Sequence, residues 1–281
     1  VNERDVVPAG FDPGFDDTEW TDGWLDVPIS EVPPGVYADG SRVERRDVDR
    51  AEVFGRSYRL AVPLDCRVLY DSHGRLWMST TPQERIMMYN NGRRSRGHVL
   101  VGGLGLGLYP QYAVLGAAGS ATRFTVIERS PAVRDIVEPT LRAVLSAPLD
   151  TRIGEIGRVL AGPAITRYDT VFLDTWDTLD AARLPFINAL RNQAVRHLAP
   201  GGRVLLWGYR WMVRLFEDAC RHLLAVRSGE RQAWLTAPSR ASAQAIETLM
   251  PVVEHFAGAE IADIDAALAW CRRYIVRAVS K

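Results

Sequence analysis

The chain has 281 residues with 34 basic and 34 acidic side chains, a formal charge of zero, and 47% hydrophobic residues. That is the composition of an ordinary globular protein with one substantial core, or one main domain and an appendage. It excludes a global electrostatic case for nucleic acid or an anionic membrane surface.

The charge is unevenly spread. Residues 1–40 hold ten acids and one Arg, a local balance of −9 that residues 41–281 offset at +9. Two readings are open: an acidic arm lying on a basic body, or a solvated tail. The basic residues are 33 Arg and a single Lys, Lys281, so no internal lysine is present for Schiff-base chemistry. Cys66, Cys220 and Cys271 are odd in number, widely spaced and without a CxxC pattern. That argues against a disulfide framework or structural zinc and fits a reducing, cytoplasmic setting. The five histidines form no HxxxH or HxH pair, so no metal site is expected. A basic-then-apolar start is lacking, and no secretory leader is expected. Residues 99–122 carry no charge over the length of a membrane span. Their glycine run, Pro110, Gly116, Gly119 and Ser120 argue against that reading.

In chain order, residues 1–55 read as a Pro/Gly/Asp-rich arm, whose Trp20, Trp24 and Tyr37 suggest docking. Residues 56–97 read as a small β-rich extension plus a helix. Tyr58–Val62, Arg67–Tyr70 and Arg75–Ser79 are expected strands, with a turn at Asp71-Ser-His-Gly74. Thr81-Pro82-Gln83-Glu84 has the form of a capping box opening a helix that runs to about Asn91. Residues 98–210 then alternate: strand Val99–Val101, helix Leu106–Leu115, strand Phe124–Ile127, helix Pro131–Leu145 capped by Ser130, strand Thr151–Ile153, strand Thr170–Leu173, helix Pro185–Leu198, strand Gly202–Trp207. This alternation predicts an α/β fold, a Rossmann-like doubly wound and mostly parallel sheet behind the β-rich extension. Residues 211–281 read as a helical C-terminal cap (Trp211–Leu224, Ser242–Phe256, Ile261–Val279).

The first core strand runs into Gly102-Gly-Leu-Gly-Leu-Gly107. Glycine lets a strand-to-helix turn approach a ligand closely, and an acid about 25 residues on, Glu128, is placed to bind a ribose diol. Dinucleotide folds want a small residue at the last position of G-x-G-x-x-G, where this chain has Leu108, so a pyrophosphate and a nicotinamide oxidoreductase are disfavoured. The G-x-G-x-G spacing instead resembles the first motif of class I S-adenosylmethionine-dependent methyltransferases. Glu128 after the second strand, Gly154-Glu155 after the third, Asp174-Thr-Trp-Asp177 after the fourth and Leu198-Ala-Pro-Gly-Gly-Arg-Val-Leu-Leu206 follow in that family's order. Within it, the β-stranded N-terminal region, Thr80-Thr-Pro-Gln-Glu84 and Asp174-Thr-Trp-Asp177-Thr178 resemble the spermidine-synthase-like branch. Gln83 stands where that branch has an acid, Trp176 where it has a small hydroxyl residue, and Thr178 where it has proline.

The resemblance implies S-adenosylmethionine as cofactor, with Gly103, Gly105 and Gly107 against its amino-acid part. Glu128 would be on the ribose, Glu155 near the adenine and Asp174 facing the sulfonium. Asp174 is the favoured residue for orienting or deprotonating a nucleophile, and Asp177 is a second acid or the cap of the next helix. Trp176, Tyr209 and Trp211, with Gln83, form the expected substrate pocket, and Trp207 reads either with them or as core packing. Aromatic faces there suit a sulfonium or an amine. The function expected is methyl transfer to a small-molecule or peptidic acceptor, with no nucleic-acid or membrane partner and a homodimer compatible with it. Two alternatives stay open: aminopropyl transfer from the decarboxylated cofactor, and a non-catalytic binding or assembly module on the same fold.

Overall fold

The computed structural model describes residues 7–116, 119–226, 230 and 243–279. The chain divides into two units, one of residues 10–177 and 193–208, the other mainly of 178–192 and 209–281.

The larger unit contains two sheets. The first is antiparallel, in the order β1 (Gly35–Val36), β2 (Arg42–Val53), β3 (Arg56–Tyr70) and β4 (Leu76–Ser79). The two strands expected at 58–70 are one long strand, and β2 falls in the segment read as an aperiodic arm. The boundary expected at residue 55 therefore lies inside the β2–β3 hairpin, with Val53 paired to Arg56.

The second sheet holds β5 (Arg96–Gly102), β6 (Ser120–Glu128), β7 (Leu149–Ile153), β8 (Tyr168–Leu173) and β9 (Leu198–Leu206) in the order β7-β6-β5-β8-β9. All four pairings are parallel, as the alternation predicts. The inner strands are buried on both faces, which is why Val99, Leu100 and Val101 form a continuous apolar run. Connections are made by α2 (Leu108–Leu115), α3 (Pro131–Val144), α4 (Ile156–Ala161) and α5 (Leu184–Val195), while α1 (Pro82–Gly92) leads into β5. Ser130 caps α3 as expected, accepting from the Val133 amide at 3.3 Å. The short helix α4 had no expected counterpart.

The acidic arm packs against this unit. Val204 donates its amide to the Gly10 carbonyl at 2.8 Å, and Phe11 bridges Val204 in parallel, so the arm continues the sheet past β9. Gln111 of α2 exchanges two hydrogen bonds with the Ser30 backbone, 2.8 and 3.1 Å. Glu31 forms a buried ion pair with Arg85, and Trp24 is 1% exposed.

The smaller unit is helical: a 3-10 turn at Ala181–Arg183, residues 184–192 of α5, then α6 (Tyr209–Ala225), α7 (Ala243–His255) and α8 (Ile264–Arg277). Among the described residues no helix is long and apolar enough to cross a membrane.

Candidate functional site

The register of the parallel sheet builds the site. Gly102 pairs with both Ile127 and Leu173, and Leu173 with Leu206. The next residue on each strand, namely Glu128, Gly103, Asp174 and Trp207, therefore lies in one row along the carboxyl edge, about 5 Å from strand to strand. Backbone hydrogen bonds hold the row: Gly103 N to Ile127 O 2.9 Å, Asp174 N to Gly102 O 2.8 Å, Trp207 N to Leu173 O 3.0 Å. Strand order reverses between β5 and β8, and such a switch point opens the crevice where doubly wound sheets bind ligands.

Gly103, Gly105 and Gly107 all have positive φ, at 90°, 57° and 79°. At Gly103 an added Cβ would collide with the Asp174 carbonyl oxygen, so this glycine lets β5 and β8 close together. At Gly105 an added Cβ would meet no protein atom within 4 Å, so this glycine borders open space. Leu108 is buried in the first turn of α2. Glu128 is 7% exposed. Its carboxylate accepts from the Leu104 amide at 2.8 Å and the Ser130 amide at 2.7 Å, which fixes the glycine loop against β6. Each oxygen keeps acceptor capacity for a hydroxyl.

Two further acids join Asp174. Glu84, in the first turn of α1, accepts from the Trp207 indole N–H at 3.0 Å. It is not the partner of a capping box, because Thr81 makes no side-chain cap hydrogen bond. Asp17, from the arm, is 1% exposed. It accepts from the Gly208 amide at 2.7 Å and the Asn91 amide side chain at 3.2 Å.

Burial pushes Asp17 up to about 7 against those two hydrogen bonds. It pushes Glu84 up to about 8, with the charges of Asp174 and Asp17 adding and the Trp207 bond opposing. Asp174 is partly open to solvent, yet desolvation, with the Glu128 charge adding, lifts it to about 7. Near neutral pH these three carboxyls are poised between proton acceptor and donor. Trp176 is 7% exposed, its indole nitrogen has no hydrogen-bond partner among the described residues, and its ring centroid lies 6.3 Å from that of Trp207.

The larger unit thus brings together Gly103, Gly105, Gly107, Glu128, Asp174 and Trp176. The structure gives the other expected site residues of this unit the following surroundings. Glu155 is exposed and pairs with Arg158 at 3.5 Å. Gln83 accepts from the Phe54 amide at 3.1 Å, which fastens the tip of the β2–β3 hairpin to α1. Asp177 is exposed, and the cap of the following 3-10 turn is Asp180, which accepts from the Ala182 amide at 2.9 Å.

Tyr209 and Trp211 belong to the smaller unit. Tyr209 is 4% exposed and donates to Asn188 at 2.7 Å. The fully buried Arg191 joins the same network, donating to Asn188 and the Val276 carbonyl. Burial raises the Tyr209 hydroxyl to about 12. Its side chain is packed within that helical unit. Trp211 is partly exposed in the first turn of α6.

Sequence reasoning missed Asp17 and Glu84. Glu84 carried a signal, an acid in the helix turn just ahead of the glycine strand, but it read as a cap. Asp17 carried only its place in an aromatic-flanked acidic arm. Among the described residues no His, Cys, Asp and Glu group is arranged to hold a metal ion.

No family model matches the chain, and no curated protein matches it. Solved structures do show similarity. A Streptococcus mutans protein assigned to the SAM-dependent methyltransferases aligns at 14% identity and TM-score 0.38, over 58% of this chain and 42% of its own. The sugar N-methyltransferase KedS8 from Streptoalloteichus sp. aligns at 19% identity and TM-score 0.27, over 42% of this chain and 43% of its own. Aeropyrum pernix fibrillarin, solved with natively bound S-adenosyl-L-methionine, aligns at 16% identity and TM-score 0.30, over 58% of this chain and 77% of its own. The chain thus spans about two fifths of the first and second of these proteins. The Rossmann-like class of the sheet rests on its own strand order and parallel pairing.

Proposed function

We propose that this chain is an S-adenosylmethionine-dependent methyltransferase whose small-molecule or peptidic acceptor presents a basic nitrogen. The observation that carries the reading is the open space over Gly105, in the loop at the switch point that Glu128 holds through the Leu104 amide. When bound, the cofactor supplies an electrophilic methyl on a sulfonium. Glu128 has the remaining lone pairs to accept from both ribose hydroxyls while it holds the glycine loop. Asp174, Glu84 and Asp17 form an acidic wall that favours a cation. One of them in its ionised form takes the proton that an ammonium must lose before its lone pair can attack. The Trp176 and Trp207 faces stabilise positive charge by about 0.5–2 kcal/mol each. Holding acceptor and methyl in line accounts for roughly 7–11 kcal/mol of barrier reduction, so no further acid–base machinery is required.

The same acidic wall also suits aminopropyl transfer to an amine, and cofactor preference separates the two. Isothermal titration of the full chain should show binding of S-adenosylmethionine and its thioether product, with the decarboxylated form at least about tenfold weaker, a gap of about 1.4 kcal/mol. A preference for the decarboxylated form would replace methyl transfer by aminopropyl transfer. Binding of none of the three would overturn both. Glu128→Ala should abolish retention of the thioether product, and unchanged retention refutes the ribose assignment.

A further inference from the structure

The amino-terminal half of the parallel sheet is lined by arginine. Arg96 opens β5, Arg94 lies two residues before it, and Arg203 projects from β9. The chain around them is shaped by the arm: Gly10 and Phe11 pair with Val204 and leave a cavity of about 280 Å³ whose wall includes Phe11, Asp12, Phe15, Arg94, Gly201 and Arg203. Arg94 lies 4.3 Å over the Phe15 ring and makes a loose 3.4 Å pair with Asp12. Arg96 is tied to the Gly201 carbonyl.

Arg203 is half-buried, and among the described residues no carboxylate pairs with it. Its charged neighbours are Arg96 and Arg94, and their repulsion adds to desolvation in disfavouring its charge. Two guanidiniums, Arg94 and Arg203, and one carboxylate, Asp12, line the cavity, an excess of one positive charge that the nearby Arg96 reinforces. A half-buried guanidinium without an anion is costly, and its planar fork matches phosphate oxygens two at a time.

We propose that this cavity binds the phosphoryl group of a small phosphomonoester, held between Arg94 and Arg203, with the organic body against Phe11 and Phe15. The cavity volume accommodates a ligand somewhat larger than a bare phosphate. The phenyl rings supply the apolar lining that bare phosphate would not need. The site lies on the half of the sheet away from the Gly103–Asp174 row, so it stands whether or not the cofactor reading does.

The test is calorimetric titration and thermal unfolding of the full chain at low salt and near neutral pH, using phenyl phosphate and inorganic phosphate as probes. Phenyl phosphate should bind and raise the melting temperature. Arg203→Gln should weaken it by about tenfold or more, the loss expected for a hydrogen bond to a charged group. Arg94→Gln, on the cavity wall, provides a second variant should Arg203→Gln fold poorly. Phenyl phosphate binding more tightly than inorganic phosphate supports the phosphomonoester. Equal affinities leave the phosphoryl site but remove the organic ligand. No binding of either probe at about 10 mM, or wild-type affinity in both variants, overturns the proposal.

Discussion

Gly103 and Gly105 are two positions apart and differ in what a methyl group would meet. A Cβ at Gly103 strikes the Asp174 carbonyl, whereas one at Gly105 enters open space. Both have left-handed φ, so each alanine incurs backbone strain of about 1–2 kcal/mol. Gly103→Ala must also push β5 and β8 apart where the Asp174 amide binds the Gly102 carbonyl at 2.8 Å, an overpacking cost of about 1–3 kcal/mol more. Denaturant unfolding should therefore show Gly103→Ala as the clearly less stable variant. Gly105→Ala should keep most of its stability and instead lose affinity for the thioether product. Equal stability losses with unchanged binding would show that Gly105 does not face a ligand. The glycine spacing was legible in the sequence because it is local. The reason for Gly103 was not, because the atom it accommodates comes from a strand about 70 residues later. Glu84 shows the same limit: its local pattern fits a capping box, and its partner, Trp207, lies 123 residues away.

Whole elements show where sequence patterning stops. The alternation of strand and helix from His98 onward is legible because inner parallel strands are continuous apolar runs and α3 opens on a capped Ser130-Pro131. Strand β2 is not legible. Of its twelve residues only Val43 and Val53 are buried, so backbone pairing to β3 holds it without a two-residue hydrophobic period. The acidic arm shows only its aromatics as a sign of docking, because its order comes from distant partners: Val204 for Gly10, Gln111 for Ser30, Arg85 for Glu31. If the arm is an integral element, its anchor should be as costly to remove as any core residue. Trp24, 1% exposed, should cost about 3–5 kcal/mol when changed to Ala. Trp20 is 38% exposed and stacked on Tyr58 at 4.1 Å. Its replacement should cost no more than about 1.5 kcal/mol. Chemical denaturation of both variants measures the difference, and a neutral Trp24→Ala would return the arm to a solvated tail.

At the scale of the molecule, a formally neutral chain concentrates acid along the carboxyl edge of its parallel sheet, and the consequence is a pH dependence of stability. Asp17 and Asp174 rise from 3.8 to about 7 and Glu84 from 4.5 to about 8. Between those limits the native state binds more protons than the unfolded chain, so stability falls as pH climbs through that window and the loss is complete above about 8. His98 works the other way on the acid side. Burial lowers its basicity, so protonation below its usual value favours the unfolded chain. Comparing wild type with Glu84→Gln cancels the His98 contribution, and glutamine keeps an oxygen to accept from the Trp207 indole. Thermal unfolding near pH 4, below the unfolded value of Glu84, should find the two proteins close together, and near pH 8.5 the variant should melt higher, because wild type must then hold a third carboxylate ionised beside Asp17 and Asp174. A small amine added at the alkaline end should raise wild type more than the variant. A gap between the two proteins that does not change with pH would mean that Glu84 is ionised throughout and that the three acids do not act as one site.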